Sequence, residues 1–130
     1  MNTKLIMKST AILLAAIGLS LTFAPDKVVE SLGIDNSVVL QLMFQLLGAA
    51  YFAFAMLNWM AKGAIIGGIY NRPIVVANLA HFLIGGLALT KAAFSNHQLP
   101  VVLSVLAGFY MVAALVFWIL MSRHPVPTTA

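Results

Sequence analysis

Six side chains in this sequence could carry chemistry inside an otherwise apolar chain: Gln41, Gln45, Tyr51, Asn58, Asn78 and His81. Amides, a phenol and an imidazole are donors and acceptors, and in hydrocarbon such groups face inward or line a cavity. Gln41 and Gln45 are one helical turn apart, and Asn78 and His81 share a face at a spacing of three. No carboxylate accompanies them, because Asp26, Glu30 and Asp35 all fall between residues 25 and 37. Proton-coupled transport would therefore depend on His81 alone. A metal site would need several ligands in reach, yet His97 and His124 fall at opposite ends of the apolar segments. No Ser is placed with a buried base and acid, so nucleophilic catalysis has no triad to work with. Cysteine is absent, which excludes disulfides and thiolate ligands.

Two readings of the six residues remain. In the first they hydrogen-bond between helices and set how the helices pack, each bond contributing on average about 0.6 kcal/mol in a membrane. In the second they line the polar end of an apolar pocket suited to a quinone, a sterol-like molecule or a lipid head.

The elements that position them follow from composition. The chain has 130 residues, 62% hydrophobic and 8% charged, against roughly 45–50% and about 25% in soluble domains. A water-soluble fold of this length could not hide so much apolar surface. The formal charge of +4 comes from seven basic residues scattered between apolar runs. They form no continuous patch, so no nucleic-acid partner is expected.

Four apolar runs, at about residues 5–24, 38–61, 73–94 and 100–121, are long enough to cross a bilayer. The first also fits a cleavable signal peptide, with its basic start and its small-residue ending Thr22-Phe23-Ala24. Pro25-Asp26 reads instead as a helix stop, with a short amphipathic interfacial helix beginning around Asp26 and closed by Gly33. Residues 62–72 are too short to span and read as an interfacial turn, with Asn71 as a cap and Pro73 in the first turn of the third span.

Faces are set by spacing. On the second span Gln41, Gln45, Gly48, Phe52, Ala55 and Trp59 form one stripe; on the third, Asn78, His81, Gly85, Ala88 and Ala92; on the fourth, Ser104, Ala107, Gly108 and Met111, with Tyr110, Ala114 and Trp118 beside them. Small residues on such stripes let helices approach closely. Depth sorts the polar residues into an inner set of Tyr51, Asn58, Asn78 and His81 and an outer set of Gln41, Gln45, Thr90 and Ser104.

With four spans, Lys4, Lys8, Lys62, Arg72 and Arg123 lie on one side and Lys27 and Lys91 on the other. The positive-inside rule makes both termini cytoplasmic.

A family pattern runs through the same residues. A first span ending in Phe23-Ala24-Pro25, a short segment closing in Leu32-Gly33-Ile34, a second span with Leu47-Gly48 and a terminal Asn58-Trp59, then Arg72 before a small-residue third span, resembles the DoxX-like group of small four-helix membrane proteins. The resemblance implies the four-helix fold; in that group some members are linked to quinone-coupled sulfur oxidation and others to assembly of membrane complexes. Small multidrug transporters have similar length and span number, but their first helix carries a membrane-embedded Glu, and residues 9–23 here contain no acid.

The sequence thus predicts an all-α, four-transmembrane-helix bundle forming a single membrane domain, with a short amphipathic helix between helices 1 and 2. The expected role is that of a non-catalytic inner-membrane protein, either an accessory factor or a binder of a lipophilic molecule, with no resident cofactor. The alternative is a subunit of a quinone-linked oxidoreductase, which would use quinone, and the third option is a small transporter. Expected partners are the lipid bilayer, a lipophilic small molecule, and copies of itself or a larger membrane complex.

Overall fold

The computed structural model describes residues 2–64, 69–96 and 98–122. Five α-helices account for most of them: α1 (Thr3–Phe23), α2 (Pro25–Leu32), α3 (Val38–Ala61), α4 (Arg72–Ser95) and α5 (Val101–Ser122), with a 3-10 turn at Ile69–Asn71 before α4. No strand occurs among the described residues. Four of the helices are long and apolar enough to span a membrane. Their outward side chains, among them Leu5, Ile12, Leu46, Phe94, Val101 and Leu115, are exposed. Apolar patches on that scale need lipid around them, and the protein is membrane-embedded.

Local chemistry accounts for the boundaries. The Asn2 side chain accepts a hydrogen bond from the Leu5 amide at 3.1 Å, so α1 starts two residues earlier than its apolar run suggests. Pro25 opens α2, where its missing N–H costs nothing, and Gly33 closes it in the left-handed conformation at φ 66°. Ser37 caps α3 by accepting from the Leu40 amide at 3.2 Å. The expected Asn71 cap is corrected: Asn71 is already turned into the 3-10 segment (φ −104°, ψ 1°) and its side chain makes no cap bond to α4. Part of the expected turn, residues 65–68, lies outside the described residues, as do His97, Arg123 and His124.

The helices fall into two compact units, Met1–Gly63 and Ala64–Ala130. In the first, α1 and α3 pack as an antiparallel pair, and α2 touches both. A Cβ at Gly18 would come within 2.8 Å of the Gly48 carbonyl oxygen and 2.9 Å of the Phe52 amide nitrogen; one at Gly48 would lie 2.8 Å from the Gly18 carbonyl oxygen and collide with Thr22 Oγ1. The two backbones therefore meet directly, as small residues permit between apolar helices.

In the second unit α4 and α5 pair. Here the contact is ring against backbone: Tyr110 lies on Gly85, where a Cβ would be 2.6 Å from its Cε1, and Tyr110 Cβ and Met111 Sδ cover Gly86.

The buried stripes differ from the expected ones by a fraction of a turn. On α3 the buried face is Gly48, Tyr51, Ala55, Asn58 and Ala61, while Phe52 and Trp59 are exposed. On α4 it is Val75, Asn78, Leu79, Phe82 and Gly86, with Ala88 and Ala92 exposed. On α5 it is Ala107, Tyr110, Ala113, Ala114, Phe117 and Leu120, with Ser104, Gly108 and Trp118 exposed. The rings of Phe82, Tyr110 and Phe117 share these buried faces with Gly86, Ala107, Ala113 and Ala114, and each ring buries far more area than an alanine.

Candidate functional site

Helix α4 carries two of the six polar residues one turn apart. Asn78 is fully buried, and its Nδ2 donates to the Ile74 carbonyl oxygen at 2.9 Å, one turn back on the same helix. Such a bond keeps an amide satisfied where no water reaches it. His81, half-buried, lies within 3.2 Å of the Tyr110 hydroxyl through Nε2. Which of the two donates depends on the imidazole tautomer.

An aromatic floor surrounds this pair. Phe82 meets the His81 ring edge-on at 5.1 Å and the Tyr110 ring edge-on at 5.1 Å, and it stacks on Phe117 at 5.7 Å with 17° between planes. Phe109 closes against Phe82 at 6.0 Å. Edge-to-face and offset contacts at these separations are the favourable arrangements of aromatic quadrupoles. The result is a polar His–Tyr couple set into an otherwise apolar cluster. Phe82, Phe117 and Tyr110 are themselves fully covered, and His81 is the member of the couple that keeps surface to meet a lipophilic molecule.

Gly85 makes this geometry possible. Because it has no Cβ, the Cδ1–Cε1 edge of the Tyr110 ring packs close against α4 and its hydroxyl reaches one turn back to His81. Phe82 is on none of the stripes read from spacing, and Tyr110 stands there only beside the stripe of the fourth span, without a role. The legible signal was a phenol in the middle of an apolar span together with a Gly85-Gly86 pair on the preceding span.

The first unit holds the other four residues. Tyr51 is buried beside the crossing of α1 and α3, its Cβ 3.2 Å from where a Gly18 Cβ would stand. Asn58 is fully buried on the same face of α3, two turns on. Among the described residues every fully buried side-chain nitrogen and oxygen has a hydrogen-bond partner. Gln41 and Gln45 do not lie in the interior. Gln41 Nε2 donates to Asn36 Oδ1 at 2.8 Å, within the approach to α3, and Gln45 is exposed, its Nε2 3.5 Å from the Thr22 carbonyl oxygen. That carbonyl belongs to the last turn of α1, where no amide of the helix is left to bond it. The two glutamines thus act near helix ends, Gln41 on the Asn36 side chain before α3 and Gln45 at an orphaned carbonyl of α1. Of the remaining outer residues, Thr90 is half-buried on α4 and Ser104 is exposed on α5.

Charge is segregated along the first unit. The Lys62 ammonium lies 3.4 Å from the centre of the Trp59 ring. Its proton affinity is held below the usual lysine range by desolvation first and then by the Lys8 and Lys4 cations. At the other end α2 carries an exposed Lys27–Glu30 pair at 3.1 Å, a contact that contributes little in water. Among the described residues no three His, Cys, Asp or Glu side chains are grouped to hold a metal ion. The chain matches no protein-family model, no curated protein and no solved structure.

Proposed function

We propose that this chain is a non-catalytic integral membrane protein that binds a lipophilic molecule, with His81 and Tyr110 receiving its polar end. The single observation that supports this reading is the half-buried imidazole held by a phenol inside a membrane-length helix, with Phe82 edge-on against it and Phe109 and Phe117 packed in turn on Phe82. A carbonyl or hydroxyl on an isoprenoid or ring body suits both halves of the site. The DoxX-like resemblance favours the same family of small membrane proteins and makes quinones the first ligands to try.

The proposed orientation puts both termini in the cytoplasm of a cell whose inner membrane holds the protein. It is supported by Lys4, Lys8 and Lys62 at one end of the first unit, against Asp26, Glu30 and Asp35 at the other. Reporter fusions at residues 1 and 130 on the same, cytoplasmic side are the expected result.

Native mass spectrometry after extraction in a mild detergent tests the binding. Wild type should retain a small lipophilic adduct that His81→Ala and Tyr110→Phe lose. A copurified quinone with a redox-dependent spectrum would move the assignment to the oxidoreductase subunit. An adduct-free wild type, or equal retention by all three proteins, would overturn the site.

A further inference from the structure

One end of the first unit carries positive charge alone. The Gly18–Gly48 approach sets the register of the antiparallel pair. Lys4 lies fourteen residues before Gly18 and Lys62 fourteen after Gly48, so the two stand level, about 21 Å from the crossing at 1.5 Å per residue. Lys8 is one turn along α1 from Lys4, on the same face. Trp59 lies beneath the Lys62 ammonium. The first turn of α1 has no acidic residue, and the three acids of the chain belong to α2 and the segment after it, at the far end.

Three ammonium groups brought level repel one another unless an anion stands among them. Beside them run exposed apolar side chains: Leu5 and Ile12 share the face of Lys8 on α1, and Met56 and Met60 flank Trp59 on α3. A tryptophan at this level is typical of the headgroup boundary. We propose that Lys4, Lys8 and Lys62, with Trp59, form a site for the headgroup phosphate of an anionic phospholipid whose acyl chains lie along Leu5, Ile12, Met56 and Met60. The combination of cations with a continuing apolar surface is what selects a lipid over a free anion. The weakened hold of Lys62 on its proton comes first from desolvation and then from Lys8 and Lys4, and a phosphate among the three would offset the latter part.

The test uses the full chain in an uncharged detergent, titrated with phosphatidylglycerol or phosphatidylcholine and read by native mass spectrometry. Phosphatidylglycerol should bind more tightly than phosphatidylcholine. Lys62→Gln should weaken it about fivefold, and the Lys4→Gln/Lys8→Gln/Lys62→Gln variant roughly a hundredfold, at about one such factor per lysine. Lys27→Gln and Lys91→Gln should leave it unchanged. On the wild type itself, phosphatidylglycerol should slow acylation of the Lys62 amine, as a bound phosphate restores its proton affinity, and phosphatidylcholine should not. Equal binding of the two lipids, wild-type affinity in the triple variant, or the same loss in Lys27→Gln would overturn the proposal. So would displacement of the lipid by millimolar inorganic phosphate, which would make this an anion site without lipid selectivity. None of these outcomes bears on His81 and Tyr110, which belong to the other unit.

Discussion

The Tyr110 hydroxyl lies 3.2 Å from Nε2 of His81, and the ring that carries it rests on Gly85, one turn further along α4. The phenol is held by its ring edge and aimed by its tip, so both contacts are open to substitution separately.

Tyr110→Phe keeps the ring on Gly85 and removes only the hydroxyl. Its unfolding free energy in detergent should fall by about 0.6 kcal/mol and by no more than about 1.7 kcal/mol. Denaturant titration against wild type measures this, and a larger loss would mean that the ring itself has moved.

Gly85→Ala does the opposite, leaving the hydroxyl in place and filling the space under the ring. A Cβ 2.6 Å from Tyr110 Cε1 cannot be accommodated without a shift. Overpacking of this kind costs about 1–3 kcal/mol. The near-ultraviolet circular dichroism of the aromatic cluster should change as well, and an unaltered spectrum with unaltered stability would contradict the described packing.

Glycines on the two pairs should respond unequally. At Gly48 a Cβ would meet backbone atoms of Gly18 and Thr22, which cannot swing away, whereas at Gly108 it would meet nothing within 4 Å. Gly48→Ala should therefore lower stability by about 1–3 kcal/mol, while Gly108→Ala should match wild type or exceed it by up to about 1 kcal/mol, since alanine is the better helix former. Similar melting temperatures for the two variants would count against the α1–α3 crossing.

Lys62 should lose its proton at a pH below the usual lysine value, because desolvation, followed by Lys8 and Lys4, disfavours its charged form. The unfolded chain holds this proton more tightly than the folded one. Stability therefore carries a deficit at low pH that is relieved as pH rises through the folded value toward the usual lysine value near 10.5. In uncharged detergent, competitive acylation with mass-spectrometric readout should label Lys62 ahead of the lysine of a free reference peptide at mildly alkaline pH. Lys4→Gln/Lys8→Gln should reduce that lead without abolishing it, because desolvation is the larger cause.

Much of the fold is legible in the sequence because its determinants are local. Apolar run length decides which segments can span a bilayer, and Asn2, Pro25, Gly33 and Ser37 mark helix ends through bonds and dihedrals that reach only a few residues away. The all-helical architecture, the short helix after the first span and the four span boundaries to within two residues follow from these. Asn71 departs from the pattern because a cap requires an extended backbone, and the turn before it had already fixed another.

Which face each apolar helix buries is different in kind. In lipid a leucine is as well placed outside as inside, so hydrophobic periodicity loses its power, and a stripe of small residues says only that close approach is possible. Gln41 and Gln45 share a face by spacing, yet Gln41 turns to the Asn36 side chain and Gln45 to a carbonyl left open at the end of α1, both away from the interior. Likewise His81 carries no mark in the sequence of the partner it takes. Tyr110 lies twenty-nine residues away, and only the register of α4 against α5, set by a ring fitting over Gly85 and Gly86, brings the phenol to the imidazole.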